Sequence, residues 1–517
     1  MPLRRYYFLA CILGVLSASR AVAQPPALPL PAMQPTLVQL LYNAQPWLAS
    51  PARLRDNQRQ FPRAGSVQLY HLRYEQVVPN GLSALVVQRI FQIRNRWGAQ
   101  QFVPDNVWYD SARGQFQLVL AEVWRRNRQG SYRAVAHGQD RGNLSGWAVG
   151  TQPRRIQLPA LRAGDRVSLL YVILPNTGPA WTLLGGHFLG NLFAFRDSFA
   201  TESVRYVLAA RQAMAVSAAR LPAPQRGRGR TGLQTWEWEA GDQPAFFQTT
   251  GEPAITDVSP FVQVSGFTTW SAMARWYSQL LAQRAQMSPQ LAARLRAIAQ
   301  PRVLPADMRL DVVQTRAIVA RVWAYLSSHL AYLGNESGVH AYVPAPVGQV
   351  FYNQQGDCKD GALLLVSWLR AVGISADLAL VRTPEMGPLA PPSSGGQVAA
   401  TMAAFDHALV YIPGLREWID TTAPHSGLTQ LPAGDQNSLA LIVRSGQGAL
   451  VRVSPAVVAA AQTEPSLPLP AATRAPAAVN GAGAPALHEP LTPPQGRKTH
   501  PSARQNPAWS SASSGLS

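Results

Sequence analysis

The spacing of apolar residues changes near residue 269, and that change constrains the fold more than any other feature. Upstream, between residues 66 and 250, apolar residues come in short runs. Val87-Gln88-Arg89-Ile90-Phe91-Gln92-Ile93, Gln115-Phe116-Gln117-Leu118-Val119-Leu120 and Val167-Ser168-Leu169-Leu170-Tyr171-Val172-Ile173 are three of them. Turns such as Asp110-Ser111-Ala112-Arg113-Gly114 separate these runs, the pattern of strands in a β-sandwich large enough for its own core. Downstream, Trp270, Met273, Trp276, Tyr277 and Leu280 recur at steps of three and four, the period of a helix buried on one face. Ser288 and Pro289 open a second helix to about Ile298. A third is expected over 312–332, with Ile318, Val322, Trp323, Leu326 and Leu330 on one face.

The ends differ from both. Arg4 and Arg5, an apolar run from Tyr6 to Leu16 and the small-residue site Ala21-Val22-Ala23 predict a secretory leader cut before Gln24. The run is too short to span a membrane. Past about Val453 the chain is mostly Ala, Pro, Ser and Thr with few aromatics, a composition that cannot bury enough apolar surface to order itself. The expected organisation is α+β: leader 1–23, proline-rich segment 24–60, antiparallel β-sandwich 61–250, helical connector 251–304, a second α+β domain 305–445 and a disordered tail 446–517. The mature chain would be periplasmic or secreted, with no transmembrane span.

That export would leave one cysteine. Cys11 departs with the leader, so Cys358 cannot staple the fold and is free for chemistry. It lies in Gly356-Asp357-Cys358-Lys359-Asp360-Gly361, directly before the apolar run Ala362–Leu365 and Val366-Ser367-Trp368-Leu369. Asp357 is a natural N-cap, so Cys358 falls at a helix N-terminus, where the macrodipole favours a thiolate. Two flanking carboxylates oppose that ionisation, so a cationic histidine partner is required. Phe405-Asp406-His407-Ala408-Leu409-Val410-Tyr411-Ile412 reads as a strand, Pro413-Gly414 as a turn and Arg416-Glu417-Trp418-Ile419-Asp420 as its hairpin partner. His407 and Asp420 stand about equally far from the turn and can be cross-strand neighbours. A cysteine at a helix start, a histidine on the next hairpin and an aspartate on the return strand make a nucleophile, base and orienting group.

These three motifs, in this order, resemble the bacterial form of the transglutaminase-like superfamily of papain-type folds, over roughly residues 305–444. The resemblance implies a papain-like α+β core with Cys358 as nucleophile, His407 as general base and Asp420 as orienting carboxylate. It implies a thioester acyl-enzyme formed from a protein or peptide amide, on cell-envelope material among other substrates, followed by transamidation or hydrolysis. A cysteine peptidase of envelope proteins and a binding or assembly module with a vestigial triad are the alternatives. Leu158-Pro159-Ala160-Leu161-Arg162-Ala163-Gly164-Asp165 ahead of a strand also looks like the domain of unknown function 3857, which commonly precedes a transglutaminase-like domain.

Other features are less specific. The net charge of +19 is almost all arginine spread along the chain, dense only at Arg226-Gly227-Arg228-Gly229-Arg230, which reads as a solvated loop. No nucleic-acid motif accompanies it, so no nucleic-acid partner is expected. No Cys/His cluster has metal-ligand spacing, so neither metal nor cofactor is expected. Trp236 and Trp238 share one strand face and read as core; His329 reads as a core histidine, and His340 and His425 as loop residues. Tyr352, Gln354 and Gln355 precede the nucleophile and are oxyanion or cleft candidates. The Pro/Gly/Ser-rich loop from residue 384 to about 400 is either a lid or a plain surface insertion.

Overall fold

The structure, a computed structural model, describes residues 35–454 except 103–106, 144–150, 248, 250, 300–309, 335–336, 392–397, 425, 427, 429 and 445–447. The expected leader, the tail beyond residue 454 and His425 lie outside the described residues.

The strand-rich half forms an eight-stranded sheet in the order Gln225–Arg228, Gln234–Gln243, Thr201–Ala210, Ser66–Val77, Ser83–Ile93, Arg166–Pro175, Gly114–Arg126, Tyr132–His137. Neighbours run antiparallel except the third and fourth strands, Thr201–Ala210 and Ser66–Val77, which are parallel. A three-stranded sheet of Ala215–Ala219, Phe261–Ser265 and Asn191–Ala194 packs on one face. There Phe193 stacks on Tyr206 at 5.0 Å, and Val262 and Val264 share a buried cluster with Trp236 and Trp238. Both tryptophans are core, as their alternation implies. Phe261–Ser265 falls inside the stretch expected to be helical connector; five residues are too few for a helical period to assert itself against β-type side chains. Gln225–Arg228, read from the sequence as loop, is a fully exposed edge strand, and its arginines protect an open edge from pairing with another chain.

The sheet's other face carries Leu72, Tyr74, Val86, Leu170 and Val172 into a buried cluster that continues through Leu40 and Leu41 of the helix Leu37–Ala44. It runs on through Met273 and Tyr277 of the helix Trp270–Arg284 to Leu363 and Leu365 of the helix Cys358–Ala371. The sheet and the second half therefore share one core. In that half a five-stranded antiparallel sheet runs Glu417–Ile419, His407–Ile412, Asp377–Arg382, Leu439–Ile442, Leu450–Arg452, extending past residue 445 into the expected tail. The helix Cys358–Ala371 lies on this sheet, its Leu363 and Leu365 in one cluster with Leu378 and Val410. Pro289–Ala299 holds its far end, where Trp368 Nε1 donates to the Leu295 carbonyl at 2.8 Å. His329 ends Val312–His329 on the surface, stacked on Tyr325 at 4.0 Å, and is not a core residue; the helix stops there and turns that position outward.

Candidate active site

Asp357 caps the helix as its sequence position predicts. Its carboxylate accepts from the N–H groups of Lys359 and Asp360, and Asp360 returns a bond from its own carboxylate to the Asp357 N–H. Asp360 also accepts from the Ala345 N–H at 2.8 Å. Lys359 Nζ is buried against Asp357 Oδ2. The two carboxylates beside Cys358 are thus consumed in capping and pairing. Burial nevertheless pushes the Asp357 carboxyl up, with Lys359 opposing; burial works against the Lys359 charge, and Asp357 outweighs it to hold the ammonium above its ordinary range.

Cys358 is buried at 5 % exposure and lies close enough to His407 to help hold the imidazole's proton. His407 opens its strand, and its Nε2 lies 3.3 Å from Asp420 Oδ1. The hairpin register pairs Val410 with Ile419, so Asp420 stands opposite Leu409 and reaches His407 along the diagonal on the same face. Direct opposition is not required. The Thr422 N–H and hydroxyl both donate to Asp420 Oδ1 at 2.8 Å and fix the carboxylate. Burial alone would strip the proton from His407, but the bonds to Asp420 and Cys358 outweigh it and hold the imidazole well above its ordinary range. Burial likewise opposes the Asp420 charge, and the His407 bond and charge outweigh it, lowering that carboxyl. Together His407 and Asp420 can hold an imidazolium beside Cys358.

Gly361, one turn into the helix, lets this chain close. A Cβ there would lie 2.6 Å from Thr421 Oγ1 and 3.1 Å from its Cβ, so only glycine admits the segment that carries Asp420. Asp435 is a residue that sequence reasoning missed. It is buried, with Oδ1 3.9 Å from His407 Nε2, and it comes from a turn that carries no motif. An imidazole nitrogen and two carboxylate oxygens lie here within 4.8 Å of one another. His407 already shares its proton with Asp420, and we read the cluster as a proton-sharing one and not as a cation site.

A cavity of about 180 Å³ is lined by Asp357, Lys359, Leu333, His340, Asn353 and Gln355; Cys358, His407 and Asp420 are not among its lining residues. Of the three oxyanion candidates only Gln355 lines it. Tyr352 is 60 % exposed, and Gln354, also exposed, closes the helix Val347–Asn353 in a left-handed conformation. His340, read as a loop residue, faces this cavity from a short 3₁₀ turn.

The loop between Cys358 and His407 is no lid in its described parts. The Ala390 and Ala399 N–H groups donate to Gln263 Oε1 and Ser217 Oγ, both at 2.6 Å, and Ser265 Oγ donates to the Ala400 carbonyl at 2.6 Å. Thr401 Oγ1 and the Met402 N–H both donate to the Leu189 carbonyl. All these acceptors and donors on the far side belong to the three-stranded sheet or its approach. The segment that leads into His407 is therefore built onto the β half of the molecule.

Fold and site together define an α+β chain with Cys358, His407 and Asp420 beside a β region of one eight-stranded and two three-stranded sheets. Residues 79–247, about a third of the chain, match the family described as Domain of Unknown Function with solved-structure structure (DUF3857). No curated protein matches the sequence. A crystal structure of a candidate protease from Parabacteroides distasonis ATCC 8503 is similar in fold, with a TM-score of 0.55 at 12% identity over 76% of this chain and 72% of that one. A candidate cysteine protease from Cytophaga hutchinsonii aligns at 12% identity over 51% of this chain and 82% of that one, with a TM-score of 0.19. That score is too low to bear on the fold. No helix among the described residues is long and apolar enough to cross a membrane.

Proposed function

We propose that this chain is a cysteine-dependent acyl-transfer enzyme of the transglutaminase-like kind, exported and acting on a protein or peptide amide. One observation carries the reading: His407 Nε2 lies 3.3 Å from Asp420 Oδ1, and Asp420 and Cys358 together hold a proton on the imidazole. His407 takes the Cys358 proton and the thiolate attacks the amide carbonyl carbon, breaking its π bond to give a tetrahedral oxyanion. Asp357 occupies the N–H groups of Lys359 and Asp360, which leaves the Cys358 N–H to face that oxyanion, with Gln355 as the side-chain candidate. The oxyanion collapses, the C–N bond breaks, His407 gives its proton to the departing amine, and a thioester remains on Cys358. Water then yields the acid; an amine yields a new amide. Fold similarity to a candidate protease favours water as the second reactant.

Intact-mass measurement after mixing with glutamine-containing peptides, with and without a fluorescent alkylamine, tests the reading. The expected result is an acyl adduct on the wild-type chain, absent in Cys358→Ala, which decays to acid or to labelled peptide. Wild-type protein that forms no adduct with any peptide or activated ester would remove it in favour of a binding module.

A further inference from the structure

Asp435 has no role in the mechanism above, yet it is built into the same site. Its backbone is pinned in a turn, the N–H donating to the Pro432 carbonyl at 3.0 Å and the carbonyl accepting from the Ser438 N–H at 3.2 Å. Its side chain is 7 % exposed, and Oδ2 is buried with no hydrogen-bond donor in reach. The charged groups that face it are His407, Asp420 and, farther off, Asp406. His407 Nε2 has one proton, and the closer Asp420 takes it. Two buried carboxylates side by side, with one cationic proton between them, are unstable unless one carboxyl is protonated. The contact between Asp435 and Asp420 then becomes a hydrogen bond.

We propose that Asp435 is a positioning residue of this site, whose carboxyl holds a proton against Asp420 and, on losing it, adds a second negative charge behind His407. The inference rests on the proposed function for its consequence, not for its geometry. Burial, reinforced by Asp420 and Asp406 and opposed by His407, pushes the Asp435 carboxyl up to about 7, so the change falls in the working range of such an enzyme. Below that pH the neutral carboxyl donates to Asp420 and steadies it. Above it the second charge favours the imidazolium, so His407 keeps its proton to higher pH than Asp420 alone would allow.

The test is an NMR titration of the His407 ring in the full chain, for wild type, Asp435→Asn, Asp435→Ala and Cys358→Ala. Asparagine keeps a donor toward Asp420 and cannot ionise. The wild-type curve should show an inflection near pH 7 ahead of the main titration. Asp435→Asn should lack it and lose the His407 proton about one pH unit or more earlier. Alkylation of Cys358 at pH 6 should stay within about twofold of wild type in the asparagine variant and fall further in the alanine variant, because only the former restores the donor. A wild-type curve without the inflection, an asparagine variant that titrates like wild type, or equal alkylation in the two variants would overturn the proposal. Cys358→Ala separates the two readings: a His407 midpoint unmoved by loss of the thiol would refute the proposed ion pair and leave the Asp435 comparison intact.

Discussion

Gly361→Ala sets two effects of opposite sign against each other. Alanine in a helix interior is favoured over glycine by about 1 kcal/mol. Here the new Cβ meets Thr421 Oγ1 at 2.6 Å, Thr421 Cβ at 3.1 Å and Leu330 Cδ2 at 3.2 Å, so the 420–422 segment must retreat by several tenths of an ångström. Overpacking of that kind costs about 1–3 kcal/mol, and the net effect is a loss of about 1 kcal/mol. Function should suffer more than stability. Asp420 adjoins Thr421 and its 3.3 Å contact with His407 lengthens with the retreat, and a misplacement of about 1 Å costs roughly a hundredfold in rate. Denaturant unfolding and the rate of Cys358 alkylation at pH 6 read the two effects separately. Thr421→Ala on the Gly361→Ala background removes a hydroxyl that has no partner, and it should restore most of the rate. A Gly361→Ala chain that is about 1 kcal/mol more stable than wild type and alkylates normally would refute the packing argument.

Lys359→Met leaves Asp357 buried without its cation and should cost about 3–5 kcal/mol, most of it recovered when Asp357→Asn is added; thermal unfolding of the single and double variants checks this. Gly190 has φ +94° and a Cβ there would lie 2.2 Å from Thr401 Oγ1, so Gly190→Ala should cost about 3 kcal/mol and slow Cys358 alkylation by freeing the segment before His407. Gly232→Ala, also at positive φ but with nothing within 4 Å, should cost only about 1 kcal/mol and leave alkylation unchanged. Asp435 has a raised carboxyl, so the native state holds a proton that the unfolded chain releases between about pH 4 and 7, and its contribution to stability falls as pH rises through that window. The unfolding free energy of Asp435→Asn should accordingly gain about 4 kcal/mol relative to wild type between pH 4 and pH 8.

The sequence nominates Cys358, His407 and Asp420 because each announces itself locally. Asp357 caps a helix that begins at the cysteine, and Pro413-Gly414 folds the histidine strand back toward the aspartate. Asp435 carries no such signal. It lies in a turn before Leu439–Ile442, and only the pairing of that strand with Asp377–Arg382 brings it to His407. The loop from residue 384 has the composition of a surface insertion; its buried bonds to Ser217, Gln263 and Leu189 join positions more than a hundred residues apart, beyond any periodic pattern. The parallel pairing inside the large sheet is invisible for the same reason, since both strands look alike whichever way they run. Gly361 reads in sequence as part of a motif, and its reason, room for Thr421, emerges only in three dimensions.

The central claim is a thiolate at Cys358 held by His407. Iodoacetamide alkylation of the purified chain across pH 4 to 9, read by mass at Cys358 with His407→Ala as control, tests it most directly. The bond to Cys358 raises His407, so the ion pair persists until pH climbs through the raised histidine value, and the alkylation rate should already be at plateau well below the free-thiol value of about 8.5. In His407→Ala the plateau should disappear and the rate should climb only near that free value. A wild-type rate that rises only there, unchanged in the control, would contradict the account.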